Sequence, residues 1–273
     1  MTDDAARLAH EPDPAVGAWI RERLGPFGAT VGGLVPRGYA AYARVLHRLE
    51  VQEVRDPPPG RLLPEDVTWR RARWADAAAE HGTRLHPRAQ LWRLLRLEDP
   101  WGHHPSWSSP VGTLDREQLG ALLEVLAAHT GGPGAEVVAA VWEGWGWVDG
   151  RGVSMLTLGG TAGPAHPAPA FPPEVLDAPR LELPHRAYLL FRGPLGAVLP
   201  WCTDGALGSW DQTPSLLWAA DRSWCAATEI DLDSTVLGGT RELVDAVLAH
   251  PVLEALEVAE DDSLMADGDD VNS

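Results

Sequence analysis

The sequence predicts an α+β fold in which a helical N-terminal half packs with a mainly antiparallel sheet and one late helix. Apolar residues recur at helical spacing up to about residue 126, whereas β-branched and apolar runs bounded by turn residues follow from Glu136. Beyond residue 187, the strand-like runs at 216–219 and 224–230 lie close enough in sequence to pair as an antiparallel hairpin.

Asp13 stands at an N-cap position with Pro14 behind it, and Val16, Trp19, Ile20 and Arg23 carry a first helix until Gly25 and Pro26 stop it. Tyr39, Tyr42, Ala43 and Leu46 predict a second helix from Pro36. Beyond the breaker Pro57, Pro58, Pro59 and Gly60, a third helix is expected over 65–81, and Pro87 opens a fourth through Leu91, Leu94 and Leu95. Asp115 with Gln118 three residues on forms a capping-box pattern, after which Leu119, Leu122, Leu123 and Leu126 mark one helix face.

Residues 137–142 read as a strand behind a Gly-Gly-Pro-Gly turn. Seven prolines between Pro164 and Pro184 predict a surface excursion or an extended linker. Residues 187–191 are strand-like, and 216–219 and 224–230 form an expected antiparallel pair, the second with one buried face. Thr240 caps a last helix through Leu243, Val244, Val247 and Leu248, and 254–258 is an expected edge strand. Residues 259–273 hold six acids and no arginine, which predicts a disordered acidic tail behind a single globular domain spanning 1–258.

The chain has 273 residues and a formal net charge of −17, and every basic residue is an arginine. Without lysine there is no Schiff-base amine, phosphate-loop lysine or serine-lysine dyad, which removes several enzyme classes. The charge is divided unevenly: residues 203–273 carry 16 acids and 2 arginines, giving −14, and residues 1–202 carry 23 acids and 20 arginines, giving −3. Between Arg37 and Arg96 the balance reverses, with 12 arginines against 7 acids, so those arginines are an alternative, internal partner for the C-terminal acids. The acidic balance argues against nucleic-acid and anionic-membrane partners. No segment approaches the length of an apolar membrane span and the opening residues are polar and acidic, so a cytoplasmic location is expected, with Cys202 and Cys225 reduced and buried.

Glu229, Asp231 and Asp233 stand at spacing two, where carboxylates repel unless a cation, an arginine or water intervenes. The run from Asp231 through Asp233 to Thr235 resembles the first motif of haloacid-dehalogenase-type phosphotransferases. That resemblance implies Asp231 as nucleophile, Asp233 as general acid/base and Mg²⁺ as counter-ion. It covers eight residues, and the family's downstream lysine has no counterpart here.

Thirteen tryptophans are the second anomaly. Trp142, Trp145 and Trp147, separated by Glu143, Gly144 and Gly146, form a candidate recognition surface, against the alternative that indoles fill an interior poor in Ile, Met and Phe. His103 and His104 are adjacent, so their side chains diverge and no metal framework supports them; neither metal nor cofactor is expected. For Arg70, Arg71 and Arg73 surface ion pairs are expected in preference to RNA contacts.

The stretches 188–194, 214–218 and 220–235, with Gly238 and Gly239, resemble an uncharacterised protein family of GC-rich bacteria with no assigned activity. A looser analogy in acidic charge and α+β order is to the SUKH superfamily of immunity proteins. The expected function is a non-enzymatic binding or protein-interaction module for a protein partner of basic character, using Trp142, Trp145 and Trp147 for apolar contact and Glu229, Asp231 and Asp233 for charge. The alternative is a metal-dependent hydrolase or phosphatase built on the same three carboxylates.

Overall fold

A computed structural model describes residues 7–28, 30–54, 67–150, 168–203 and 212–272. In chain order its first half holds β1 (Ala9–His10), α1 (Ala18–Arg23), β2 (Ala41–Leu46), β3 (Leu49–Val54), β4 (Val67–Ala72), α2 (Trp74–His81), α3 (Leu91–Leu94), β5 (Trp107–Ser108) and α4 (Arg116–Ala128). The second holds β6 (Glu136–Trp142), α5 (Pro173–Leu176), β7 (Leu181–Leu183), β8 (Arg186–Pro194), α6 (Val198–Thr203) and β9 (Leu216–Ala219). It ends with β10 (Cys225–Thr228), β11 (Ser234–Gly239), α7 (Arg241–Ala249) and β12 (Ala255–Val258). No helix among the described residues is long and apolar enough to cross a membrane.

The architecture is α+β with antiparallel pairing, but the helical N-terminal half is overturned: strands dominate, and the helices are distributed along the chain. One sheet of nine strands runs β1-β8-β6-β9-β10-β11-β2-β12, with β7 also beside β8. Along it, alternate residues enter two cores. Ala43 and Val45 of β2, Leu237 of β11, Leu217 of β9, Val137 and Ala139 of β6 and Phe191 of β8 face a layer containing Leu119, Leu122 and Leu126 of α4 and Leu243, Val244 and Val247 of α7. Tyr42, Val236, Trp218, Val138 and Tyr188 face the other way, against Trp19 and Ile20 of α1, Val31, Val35 and Leu264.

Burial on both faces explains the largest errors of the sequence reading. Every residue of β2 is buried, so no alternation of apolar and polar residues marks it as a strand, and Tyr42, Ala43 and Leu46 fall at helical spacing by coincidence. The strand β10 is likewise buried throughout, correcting the expected single buried face. The predicted helix over 65–81 divides into β4 and α2, while Glu65 and Asp66 lie outside the described residues. The expected breaker at 57–60 also lies outside them, as does the Pro-rich stretch up to residue 167; its remainder forms α5 and β7. The helices α4 and α7 stand where their caps predict: Asp115 accepts from the Gln118 N–H at 2.9 Å and Thr240 from the Leu243 N–H at 3.2 Å. Asp13 instead caps a 3₁₀ turn over Pro14–Gly17, accepting from the Ala15 N–H at 2.9 Å, and α1 follows that turn with no side-chain cap of its own.

A satellite of β3, β4 and β5 with α2 and α3 sits at one end of the main sheet around Trp74, Leu49, Leu94 and Trp107. Only His47 and Arg48 separate β2 from β3, so the junction is fixed by side chains. Gln118 donates to the Leu46 carbonyl at 2.8 Å and accepts the Arg48 N–H at 3.0 Å. Trp74 Nε1 donates to the His47 carbonyl at 2.9 Å, and Glu254, from the far end of the chain, accepts the Trp74 and Ala75 N–H groups at 2.7 and 2.9 Å where α2 begins.

Residues 259–272 pack on the body, correcting the expected disordered tail. Composition makes this stretch too charged to fold alone, yet two arginines of the first half pair with four of its acids. Arg37 meets Asp261 at 2.8 Å and Arg88 meets Asp270 at 2.6 Å, while Leu264 enters the core. Asp269 is 2% exposed and accepts from His86 Nε2 at 2.8 Å and the Gln90 N–H at 3.1 Å. Burial opposes its ionisation, but these bonds and those from Asn272 hold the carboxyl well below the usual aspartate range.

His47 Nδ1 lies 2.9 Å from the Pro110 carbonyl and Nε2 lies 3.1 Å from Thr235 Oγ1. A carbonyl only accepts, so Nδ1 carries the proton and Nε2 accepts from the Thr235 hydroxyl, which in turn accepts from Thr228 at 2.9 Å. Burial pushes the imidazole down to about 4, from 6.5. The unfolded chain therefore binds the extra proton, and this contribution to stability, full above pH 6.5, is lost as pH falls towards about 4. Urea unfolding is expected to show the advantage of wild type over His47→Gln shrinking by about 2–3 kcal/mol between about pH 7 and about pH 4.5. A difference independent of pH would contradict a neutral buried His47.

Candidate functional site

Antiparallel order brings the C-terminal ends of β2, β6 and β10 and the N-terminal ends of β8, β9 and β11 to one end of the main sheet, beneath the satellite. Between the two lies a cleft of about 1000 Å³. The β10–β11 turn and Arg186 form its floor, and the satellite supplies Trp92, Leu95, Trp101, Trp107 and Val111. Phe27, Thr30 and Leu34 close one side, and Leu264, Met265 and Ala266 close the other.

The C-terminal wall is held by Trp92 Nε1 donating to the Ala266 carbonyl at 3.3 Å and Gln90 Nε2 donating to the Leu264 carbonyl at 3.1 Å. The floor turn is held by the Gly112 N–H on the Leu232 carbonyl at 2.9 Å and the His47 N–H on the Asp233 carbonyl at 2.9 Å. Gly112 has a φ of 69°, and a Cβ there would press on the Ile230 backbone, so glycine is required where the satellite meets the turn. Trp101 is 87% exposed, Val111 53% and Met265 46%, so half of the six large apolar side chains that stand well exposed on the described surface border this cleft.

Glu229, Asp231 and Asp233 all line the cleft, and arginines intervene between them. Arg186 donates to Glu229 Oε1 from Nε at 3.0 Å and from Nη2 at 2.6 Å, and Nη2 also donates to Asp231 Oδ2 at 2.9 Å. Its guanidinium lies 5.1 Å from the Phe27 ring centre and 5.4 Å from that of Trp142, between two aromatic faces. Asp233 instead meets the buried Arg44 at 3.4 Å. Burial pushes the Asp233 carboxyl up; Arg44 pulls it back, and 21% exposure of the side chain lets solvent moderate the rise.

This arrangement stores most of the floor's charge as ion pairs. A nucleophilic or cation-chelating role for Asp231 and Asp233 needs their oxygens free and convergent, whereas Arg186 and Arg44 draw them towards different partners. Among the described residues no group of three His, Cys, Asp or Glu side chains is placed to hold a metal ion. His104 Nδ1 accepts the N–H groups of Ser106 and Trp107, both at 3.1 Å, so it is turned into its own loop while His103 is exposed.

The tryptophans divide differently from the expected surface. Trp147 is 7% exposed in the helix-side core, Trp145 packs partly buried against that core, and Trp142 stacks behind Arg186. The close approach allowed by Gly144 is that of the protein's own Trp142 ring, where any Cβ would collide. Trp142 therefore supports the carboxylate floor from behind, and the aromatic side of the cleft comes from Trp92, Trp101 and Trp107, which sequence reasoning left aside. The expected ion pairing of the arginine run holds for two of its three members: Arg70 meets Glu53 at 2.7 Å and Arg71 meets Asp115 at 3.0 Å, whereas Arg73 donates to the Leu253 carbonyl at 3.4 Å.

No protein-family model, no curated protein and no solved structure matches this chain.

The floor makes an asymmetric prediction. Glu229 is 11% exposed and is the principal partner of Arg186, itself 15% exposed, whereas Asp231 is 76% exposed. Glu229→Gln is expected to lower unfolding stability by about 1–3 kcal/mol, and Asp231→Asn by less than about 0.5 kcal/mol. Equal losses in urea unfolding would contradict this division of roles.

Proposed function

We propose that this protein is a non-enzymatic binding module and that its cleft receives an apolar segment of a partner protein. The observation that carries this reading is the coincidence of a cleft of about 1000 Å³ with the exposed side chains of Trp101, Val111 and Met265. An exposed indole beside a concave apolar wall is a large contact surface with little rotamer entropy to lose, the usual character of an interface anchor. The hydroxyls of Thr30 and Ser109 border the same cleft and have no hydrogen-bond partner among the described residues. The ion-paired floor supports recognition over catalysis, because Glu229 and Asp233, its two less exposed carboxylates, are held by guanidinium groups and are poor nucleophiles, which leaves the exposed Asp231 alone to meet a partner.

A neutral apolar probe tests the cleft directly. Nile red is expected to brighten on binding wild type, and Trp101→Ala is expected to lose most of that signal while unfolding stability changes by less than about 0.5 kcal/mol, because the side chain is exposed. Undiminished dye binding by Trp101→Ala combined with Met265→Ala would overturn the assignment of the site.

A further inference from the structure

We infer that the segment received by the cleft is basic: a lysine or arginine of the partner protein is taken by Asp231 while apolar neighbours lie against Trp101 and Met265. This inference rests on the cleft being the binding site. Its own ground is a charge count at the floor, where three carboxylates face two guanidinium groups.

Glu229 alone keeps two bonds to Arg186, at 3.0 and 2.6 Å, and Asp233 is paired with Arg44 at 3.4 Å. Asp231 is the surplus carboxylate. It holds Arg186 through one bond at 2.9 Å, and 76% of its side chain faces solvent. An incoming cation can therefore take Asp231 without leaving Arg186 unpaired, so binding avoids the penalty of a stranded guanidinium. An anionic segment would meet a floor with excess negative charge. The exposed indole of Trp101 adds a cation–π face at the same cleft, and the net charge of −17 draws cations towards the molecule as a whole. A volume of about 1000 Å³ is at the upper end for small-molecule pockets and suits several side chains of an extended segment.

Three short capped peptides of identical leucine and phenylalanine content, carrying lysine, glutamine or glutamate at the same positions, test this by calorimetry on the full chain. The lysine peptide is expected to bind wild type about fivefold tighter than the glutamine peptide, with the glutamate peptide weakest, and salt should narrow the gap. Asp231→Asn should remove most of the lysine preference, while Trp101→Ala should weaken binding of both the lysine and the glutamine peptide. Equal binding of the lysine and glutamine peptides, or a lysine preference undiminished by Asp231→Asn, would overturn the inference while leaving the cleft intact as an apolar site. Failure of all three peptides to bind would overturn the cleft reading, and this inference with it.

Discussion

Arg44 carries a guanidinium into the middle of β2, where 1% of its side chain remains exposed. A buried charge of this kind costs several kcal/mol unless its donors are satisfied. Here Nε donates to Ser234 Oγ at 2.9 Å, and Nη1 donates to the carbonyls of Pro87 and Ala89 at 3.1 and 2.7 Å. Nη2 meets Asp233 at 3.4 Å, and the group lies 5.3 Å from the Trp74 ring centre. These partners come from the β10–β11 turn, from β11, from the loop before α3 and from α2, so this cation, with the bonds of Gln118, Trp74 and Glu254, ties the end of the sheet to the satellite. The cleft between those two bodies inherits its shape from that attachment.

The same logic organises the rest of the charge. The C-terminal acids look like a solvated tail in the sequence, yet Glu260, Asp261, Asp262 and Asp270 are within ion-pair reach of Arg37 and Arg88, and Asp269 is held by His86, Gln90 and Asn272. Folding brings the arginine-rich stretch of the first half to the acidic end of the second. Most of these pairs are partly exposed and individually weak, so the apolar contact of Leu264 and the buried Asp269 network fix the position of the segment. That segment then supplies one wall of the cleft. Excess negative charge is consequently displaced to exposed groups such as Asp231.

Local signals were legible wherever their physical cause was local. Asp13, Asp115 and Thr240 mark helix starts because a cap is decided within three residues, and the β9–β10 hairpin is visible because its turn is short. The strand β2 was hidden because burial on both faces erases the period-two pattern, and because Arg44 reads as a surface residue until its distant partners are known. The carboxylates of 229–233 were legible as a group needing a counter-cation, but Arg241, close in sequence, pairs instead with Asp245 and Glu257. Arg186 supplies the cation, 43 residues earlier in the chain, where antiparallel order returns it to the same end of the sheet. The indoles at 142–147 drew attention by density, whereas the exposed Trp101 is set by the packing of the satellite, which sequence spacing does not encode.

Buried Arg44 holds the satellite on the sheet and thereby shapes the cleft. Native-state hydrogen exchange on Arg44→Leu tests this attachment most directly. The expected result is that amides of β3, β4 and α2 lose protection through a partial opening, while those of β6 and β9 keep the protection they have in wild type. Protection lost evenly across both bodies, or unchanged in the satellite, would contradict it.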